Sequence, residues 1–341
     1  MHVLRILMFT PSYHPRVGGV EKHVRRVSSL MAEDGHDVTI VTPSSDSGVD
    51  VDGMLRVERY PPGPLGSFSW AKTHLDMIKS ADVLHFHDHA IFVSFSFLRF
   101  LLPRKTMTIT FHGYEGIVPV PKRFILSRRL CDLLCRANIS VGHYIGKWYG
   151  TNIDNVSYGG CDVMEVIPDK CKNAAFIGRL DEDTGIRECL QAIGVLQAEM
   201  EFPLDVYGDG PLAEELHLIA VEKGLDVEFK GAVPDAAKLL GEYRFSFTNG
   251  YLGMWESLAL ASSLLTVHSN ELKKDYLSGF PGADDCFMVC SSAESLRDSA
   301  KLLMDNEEMA QDMRQRGLSL AHQNSWSKVR DLYYEIWGVT E

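Results

Sequence analysis

Short apolar runs alternate along the chain with longer segments in which apolar residues return every three or four positions. In the first half the runs are VLRILMF (3–9), DVTIVTP (37–43), DVLHFHD (82–88), TMTITFH (106–112) and ANISV (137–141). In the second they are NAAFIG (173–178), PLDVYGDG, DVEFKGAV, RFSFTNG, LLTVHS and CFMVC. Strand-like runs separated by helix-length stretches predict parallel sheets with helices on both faces, here twice over: two Rossmann-like halves. In the helical segment after the first run, Val20, Val24, Val27, Leu30 and Met31 trace one apolar face. The last segment, SWSKVRDLYYEIWGVTE, places aromatics on one helical face after a Ser325 cap. Glycines and a proline interrupt the pattern between Asn155 and Lys170, so the expected division is 1–160, 161–324 and a terminal helix 325–341.

A chain of 341 residues with 45% apolar content fits two cores better than one. Net charge is −12, unevenly spread: residues 1–160 carry 18 Lys and Arg against 14 Asp and Glu, the remainder 16 against 32. So acidic a second half repels polyanions, and nucleic acid is not an expected partner. Seven cysteines without a C-x-x-C pair argue against a disulfide framework or a structural zinc and fit a reducing cytoplasm. MHVLRILMFTPSY reads as a first strand rather than a signal peptide, and AIFVSFSFLRFLL, broken by Arg99, is too short to span a bilayer.

Several stretches carry candidate chemistry. Gly18 and Gly19 precede the first helix, where backbone N–H groups and the helix dipole favour a phosphate; a plain loop is the competing reading. His85, His87 and His89 alternate, so as a strand all three would point one way, yet the further ligands of a metallo-hydrolase are missing and cleft-lining histidines are the preferred reading. His112 ends a strand before a glycine and can donate a hydrogen bond or titrate near neutrality. In AAFIGRLDEDTGI, Arg179 either pairs with Asp181, Glu182 or Asp183 or awaits an anion. Asn249, Gly250, Tyr251, Leu252 and Gly253 form a loop expected to expose backbone N–H groups at the start of a helix carrying Glu256, which would suit phosphates and a ribose, unless Glu256 is only a first-turn acid facing the helix dipole.

Taken in order, GGVEKHV…SSLMAEDGHDVTIVTP, DVLHFHDH, TFHG, FIGRLDEDTGI, VYGDGPLAEEL, FKGAVPD, GYLGMWESLALAS and the closing SWSKV segment resemble the retaining glycosyltransferases of family 4 over most of the chain. The resemblance implies an α/β GT-B fold: two Rossmann-like domains with parallel sheets facing across a cleft, an acceptor domain first, a nucleotide-sugar donor domain second, and the C-terminal helix packing back on the first. It implies a nucleoside-diphosphate sugar as co-substrate, no metal and no other cofactor. By the same resemblance Arg179 faces the donor diphosphate, His112 contacts the donor sugar, Gly18 and Gly19 admit the phosphates, and Glu256 contacts the ribose.

Two positions depart from the family pattern. The usual lysine five residues after the arginine is Thr184, and the first of two glutamates spaced eight apart is Thr248. A cation facing the leaving diphosphate contributes several kcal/mol to such a transition state, so its loss calls for compensation. Lys273 and Lys274 are the candidates, against a reading in which both are simply solvated.

The expectation is transfer of a sugar from a nucleoside diphosphate to an acceptor hydroxyl of a glycan or lipid-linked acceptor, with retention. A nucleotide-sugar epimerase on the same fold and a scaffold without turnover are the alternatives. KRFILSRRLCDLLCR (122–136) mixes five basic residues with leucines, which suits either a packed helix with a solvated basic face or a surface that rests on anionic lipid. Peripheral membrane association of a cytoplasmic enzyme is the corresponding hypothesis.

Overall fold

The computed structural model describes residues 2–114, 116–162, 164, 170, 172–233 and 236–339. They fall into two compact units, Met1–Ser157 with Trp326–Glu341 and Tyr158–Ser325. Residues 163 and 165–169 of the 155–170 segment lie outside the described residues, as do Glu115 after the His112 turn and Pro234 and Asp235 of FKGAVPD.

The first unit holds an eight-stranded sheet: β1 (Arg5–Phe9), β2 (Asp37–Pro43), β3 (Gly48–Asp52), β4 (Leu55–Tyr60), β5 (Val83–His87), β6 (Thr106–Phe111), β7 (Ala137–Ser140) and β8 (Asn155–Val156). Their order is β3-β4-β2-β1-β5-β6-β7-β8. Every pair is parallel except the β3–β4 hairpin, which turns at Gly53 in the left-handed region. Ile6 sits between Val38 and Val83 in register. Helices cover both faces, which is why the central strands read as continuous apolar runs. The edge hairpin was not among the strands expected from the sequence: GVDVD is a solvent-exposed edge with Val49 and Val51 outward, so no buried run announces it.

The second unit holds β9 (Lys172–Ile177), β10 (Leu204–Tyr207), β11 (Val227–Gly231), β12 (Tyr243–Phe247), β13 (Ser263–Val267) and β14 (Met288–Cys290). They form a parallel sheet in the order β11-β10-β9-β12-β13-β14. Its core gathers Phe176, Ile193, Leu204, Phe245, Leu265 and Leu296 from strands and covering helices. Both units are therefore parallel-sheet α/β layers, as the alternation predicts.

The order in which successive strands are added reverses between two neighbouring parallel strands of each sheet, β1 and β5 in the first and β9 and β12 in the second. In open α/β sheets the carboxyl ends of the strands at such a reversal are where ligands bind. The segments issuing there are Thr10–Gly19 and His87–His89 in the first unit, and Gly178–Gly185 and Thr248–Tyr251 in the second. The C-terminal helix Trp326–Trp337 belongs to the first unit, where Tyr333 bonds His23 of the Gly19–Glu33 helix at 2.9 Å.

Candidate active site

In the second unit β9 delivers Gly178 and then Arg179. The Arg179 side chain is 65% exposed and pairs with Asp181 at 2.8 Å and Asp183 at 3.2 Å. Asp181 also caps the turn that follows, accepting from Glu182 N, while its carbonyl accepts from Thr184 Oγ1 at 2.7 Å. Gly185 closes the turn at φ 74° and opens the Ile186–Gln197 helix. A Cβ there would lie 2.5 Å from Asn249 Nδ2 and from Val267 Cγ1, so only glycine lets the two loops meet.

Asn249 is the staple between them. Its Nδ2 donates to Thr184 O at 2.9 Å and to Val267 O at 2.7 Å, and its Oδ1 accepts from Val267 N at 3.0 Å. Gly250 precedes the Tyr251–Ala259 helix. The Tyr251 N–H, expected to face a ligand, instead donates to Tyr276 Oη at 3.0 Å, and the Tyr251 hydroxyl donates to Tyr276 O at 2.6 Å. The two rings stack at 3.9 Å. Asn249 and Tyr251 thus hold the loop together, and Leu252 and Gly253 are the first-turn residues whose N–H groups precede the first intrahelical bond, from Met254 N to Gly250 O. Glu256 is buried at the sixth helical position, beyond the first turn considered for it. Thr248 is buried beneath Gly253, where a Cβ would meet Thr248 Oγ1 at 2.6 Å.

The two lysines of the next loop part company. Asn270 caps the Glu271–Ser278 helix, whose buried face takes Leu272, Lys273, Tyr276 and Leu277. Lys274 is half-exposed beside Glu271. Lys273, which a solvated pair would leave in water, is buried, donates from Nζ to Asn249 O at 2.8 Å and lies 4.3 Å from the Tyr276 ring centroid. Burial pushes its pKa down to about 8, with Asp183 acting upward and Arg179 downward. Nothing in the immediate sequence distinguished it from Lys274.

Beside Arg179 an open pocket of about 510 Å³ lies over the carboxyl ends of β9, β10 and β11. Leu180, Asp209, His217 and Phe229 are among its walls.

The first unit collects histidines at its own strand reversal. His85 and His87 do share a face of β5, but the strand ends there: Asp88 takes φ 77° and His89 begins a helix, its ring against Phe124. The strand alternation expected of three histidines therefore stops at two. His85 bonds Thr108 and Thr110 at 2.7 and 2.9 Å. His87 Nδ1 lies 2.9 Å from His112 Nε2. His23 stands edge-on to His112 at 4.8 Å. Among the described residues no group of three or more His, Cys, Asp or Glu side chains is arranged to hold a metal ion.

Burial pushes the His112 pKa down to about 4, Asp88 opposing and Arg128 adding to the shift, so the imidazole is neutral at pH 7. Arg128, almost fully buried, donates to Gly113 O at 2.6 Å and lies over the Tyr149 ring at 4.1 Å, fixing the turn that carries His112. In sequence Arg128 is one of five basic residues in 122–136, where an arginine looks like surface. Gly18 is extended and ends before the helix, and the Glu21 carboxylate folds back over it. Gly19 has open space where a Cβ would go, so sterics alone do not demand glycine there. In the Lys122–Leu134 helix Leu126, Leu130 and Leu133 are 65%, 46% and 80% exposed, while Lys122, Arg123 and Arg129 are exposed alongside.

Residues 17–155 match the family model for Glycosyltransferase Family 4. The phosphatidyl-myo-inositol mannosyltransferase of Mycobacterium tuberculosis is 26% identical over 258 residues, covering 69% of this chain and 68% of that protein. That of Mycolicibacterium smegmatis is 25% identical over 69% of this chain and 66% of its own. Among solved structures, Anabaena Alr3699/HepE in complex with UDP superposes with a TM-score of 0.78 at 13% identity, over 99% of this chain and 100% of that one. The Rickettsia africae glycosyltransferase gives 0.73 at 14% identity over 97% and 98%. Residues 17–155, within the first unit, thus carry a family 4 glycosyltransferase domain, and with its two parallel-sheet units the chain is a glycosyltransferase with the GT-B fold.

Proposed function

We propose that this glycosyltransferase moves a hexosyl residue from a nucleoside-diphosphate sugar to the hydroxyl of a lipid-linked acceptor, with retention of configuration and without a metal. The observation that carries the donor side is the pocket over the ends of β9, β10 and β11, of a size for a nucleoside, with Arg179 directly before its wall residue Leu180. The guanidinium is itself mostly exposed, so its present pairs with the part-buried Asp181 and Asp183 are worth about 0–1 kcal/mol. A diphosphate offers a charge-assisted, bidentate replacement. Neutral His112 suits a hydrogen bond to a sugar hydroxyl, and a diphosphate leaving group can itself receive the acceptor proton, which is why retention needs no second protein base in this reading.

The acceptor side rests on the Lys122–Leu134 helix. Three leucines spaced i, i+4, i+7 stand in solvent with basic residues beside them, the arrangement of an interfacial helix whose charged heads reach lipid phosphates. No helix among the described residues is long and apolar enough to cross a membrane. Peripheral binding to an anionic bilayer follows, and the name of the mycobacterial relatives makes a mannosyl donor and an inositol phospholipid the first pair to try. The six described cysteines are all free thiols, in keeping with a cytoplasmic enzyme.

The test is incubation with UDP-, GDP-, ADP- and dTDP-sugars and phosphatidylinositol-containing vesicles, with and without EDTA, followed by mass spectrometry of the lipid and NMR of the new anomeric centre. A glycolipid with the donor's configuration, formed equally in EDTA, is expected. An isomerised donor, an inverted product or loss of activity restored by a divalent cation would each overturn the corresponding part.

A further inference from the structure

Burying an ammonium costs several kcal/mol, and a neutral amide or hydroxyl could hold a backbone carbonyl just as well, so the charge on Lys273 calls for a reason. Lys273 is 5% exposed and stands under the loop that opens the Tyr251–Ala259 helix, with Nζ 2.8 Å from Asn249 O. Asn249 in turn holds Thr184 O at 2.9 Å. One polar line therefore joins the segments after β9, β12 and β13, at the strand reversal where a ligand is expected. Among the groups facing Lys273 are Arg179 and Asp183 from the segment after β9, and Tyr276 on its own helix.

Resting on the nucleoside-diphosphate reading above, we infer that Lys273 is a donor-binding residue whose ammonium, together with the Arg179 guanidinium, faces the diphosphate. The sequence of charges is consistent: an anion placed beside Arg179 lies within the field that already couples Arg179, Asp183 and Lys273. Because burial holds the free lysine near pH 8, arrival of a diphosphate must favour its protonated form. Donor binding is then coupled to proton uptake, which a lysine serving only to brace Asn249 would not show.

The experiment is calorimetric titration of the full chain with UDP, GDP, ADP and dTDP, using the tightest of them at pH 7.0, 8.5 and 9.0 in two buffers of different ionisation enthalpy. Wild type should bind about tenfold more weakly at pH 9 than at pH 7, the ratio set by deprotonation near pH 8 in the free form alone, with net proton uptake at pH 8.5. K273M should lose at least tenfold in affinity at pH 7 and lose that pH dependence. Adding T184K to K273M, which returns a charge at the other end of the Asn249 line, should recover part of the affinity. Equal affinity and an unchanged pH profile in K273M overturn the inference while leaving the donor reading intact. Failure of wild type to bind any of the four nucleotides overturns the donor reading itself, and the inference with it. If K273M does not fold, the wild-type measurement decides: binding without proton uptake at pH 8.5 removes Lys273 from the diphosphate site.

Discussion

Acid should unfold the first unit in a pH range where most proteins are still stable. His23, His85 and His87 are fully buried and desolvation holds each well below its ordinary pKa; His112 is pushed down to about 4. They are packed against Tyr333, Trp326 and Trp337 of the C-terminal helix and against one another, and His87 Nε2 is buried without a partner among the described residues. A histidine whose folded pKa lies below its unfolded value of about 6.5 leaves the unfolded chain binding the extra proton. Its stabilisation is therefore complete above that value and is lost as pH falls toward the folded pKa. For His112 alone, moving from pH 7.5 to pH 5 removes about 2 kcal/mol. The other three act in the same direction, and with four protons taken up the slope approaches about 5 kcal/mol per pH unit. Against a total of roughly 5–15 kcal/mol, that is enough to unfold the unit. Carboxylates do not confuse the measurement, because Asp88, whose burial acts upward but is outweighed chiefly by Arg128, is held low and keeps its stabilisation until pH falls into the ordinary carboxylate range. Urea titration followed by tryptophan fluorescence at pH 7.5, 6.0 and 5.0 reads the effect, since Trp326 and Trp337 adjoin the histidine rings. H85Q should make the pH dependence shallower by up to one proton. A urea midpoint that stays constant from pH 7.5 to 5.0 would refute the account.

Three substitutions extend the test to the second unit and the surface. G185A forces a side chain into a left-handed residue and against Asn249; it should cost about 1–2 kcal/mol for the backbone and about 1 more for each strained Asn249 bond. Thermal unfolding and nucleotide affinity should both suffer, and an unchanged melting temperature would contradict the packing. R179A removes only exposed pairs, so stability should move by less than about 1 kcal/mol. Turnover should fall more than KM rises, because charge on the diphosphate grows as the glycosidic bond breaks; steady-state kinetics showing an untouched kcat would leave Arg179 as a surface ion pair. L130D with L133D should leave stability within about 0.5 kcal/mol per site yet abolish co-sedimentation with anionic vesicles, and undiminished binding would remove this helix from the membrane.

What could be read from the order of residues was whatever depends on local period. Continuous apolar runs identified the buried strands of both sheets, because a parallel strand covered on two faces cannot alternate. The spacing of His85 and His87 put both rings on one side of β5, and Arg179 was placed at the end of β9 by the glycine that precedes it. The edge hairpin Gly48–Tyr60 escaped notice because a strand with one face in water carries little apolar signal. Elsewhere the decision lay with partners far away in sequence. Asp88 turns the chain into the left-handed region and sends His89 off the strand. Lys273 and Lys274 are adjacent in composition, charge and context, but a step of one residue rotates the helix by about 100°, and only the burial of Leu272, Tyr276 and Leu277 within the second unit decided which lysine was buried. The N–H of Tyr251 was claimed by a tyrosine on another helix. The leucines of the Lys122–Leu134 helix form an apolar stripe in the sequence, but periodicity says which residues share a face and not what covers it; the tertiary structure left that stripe in solvent.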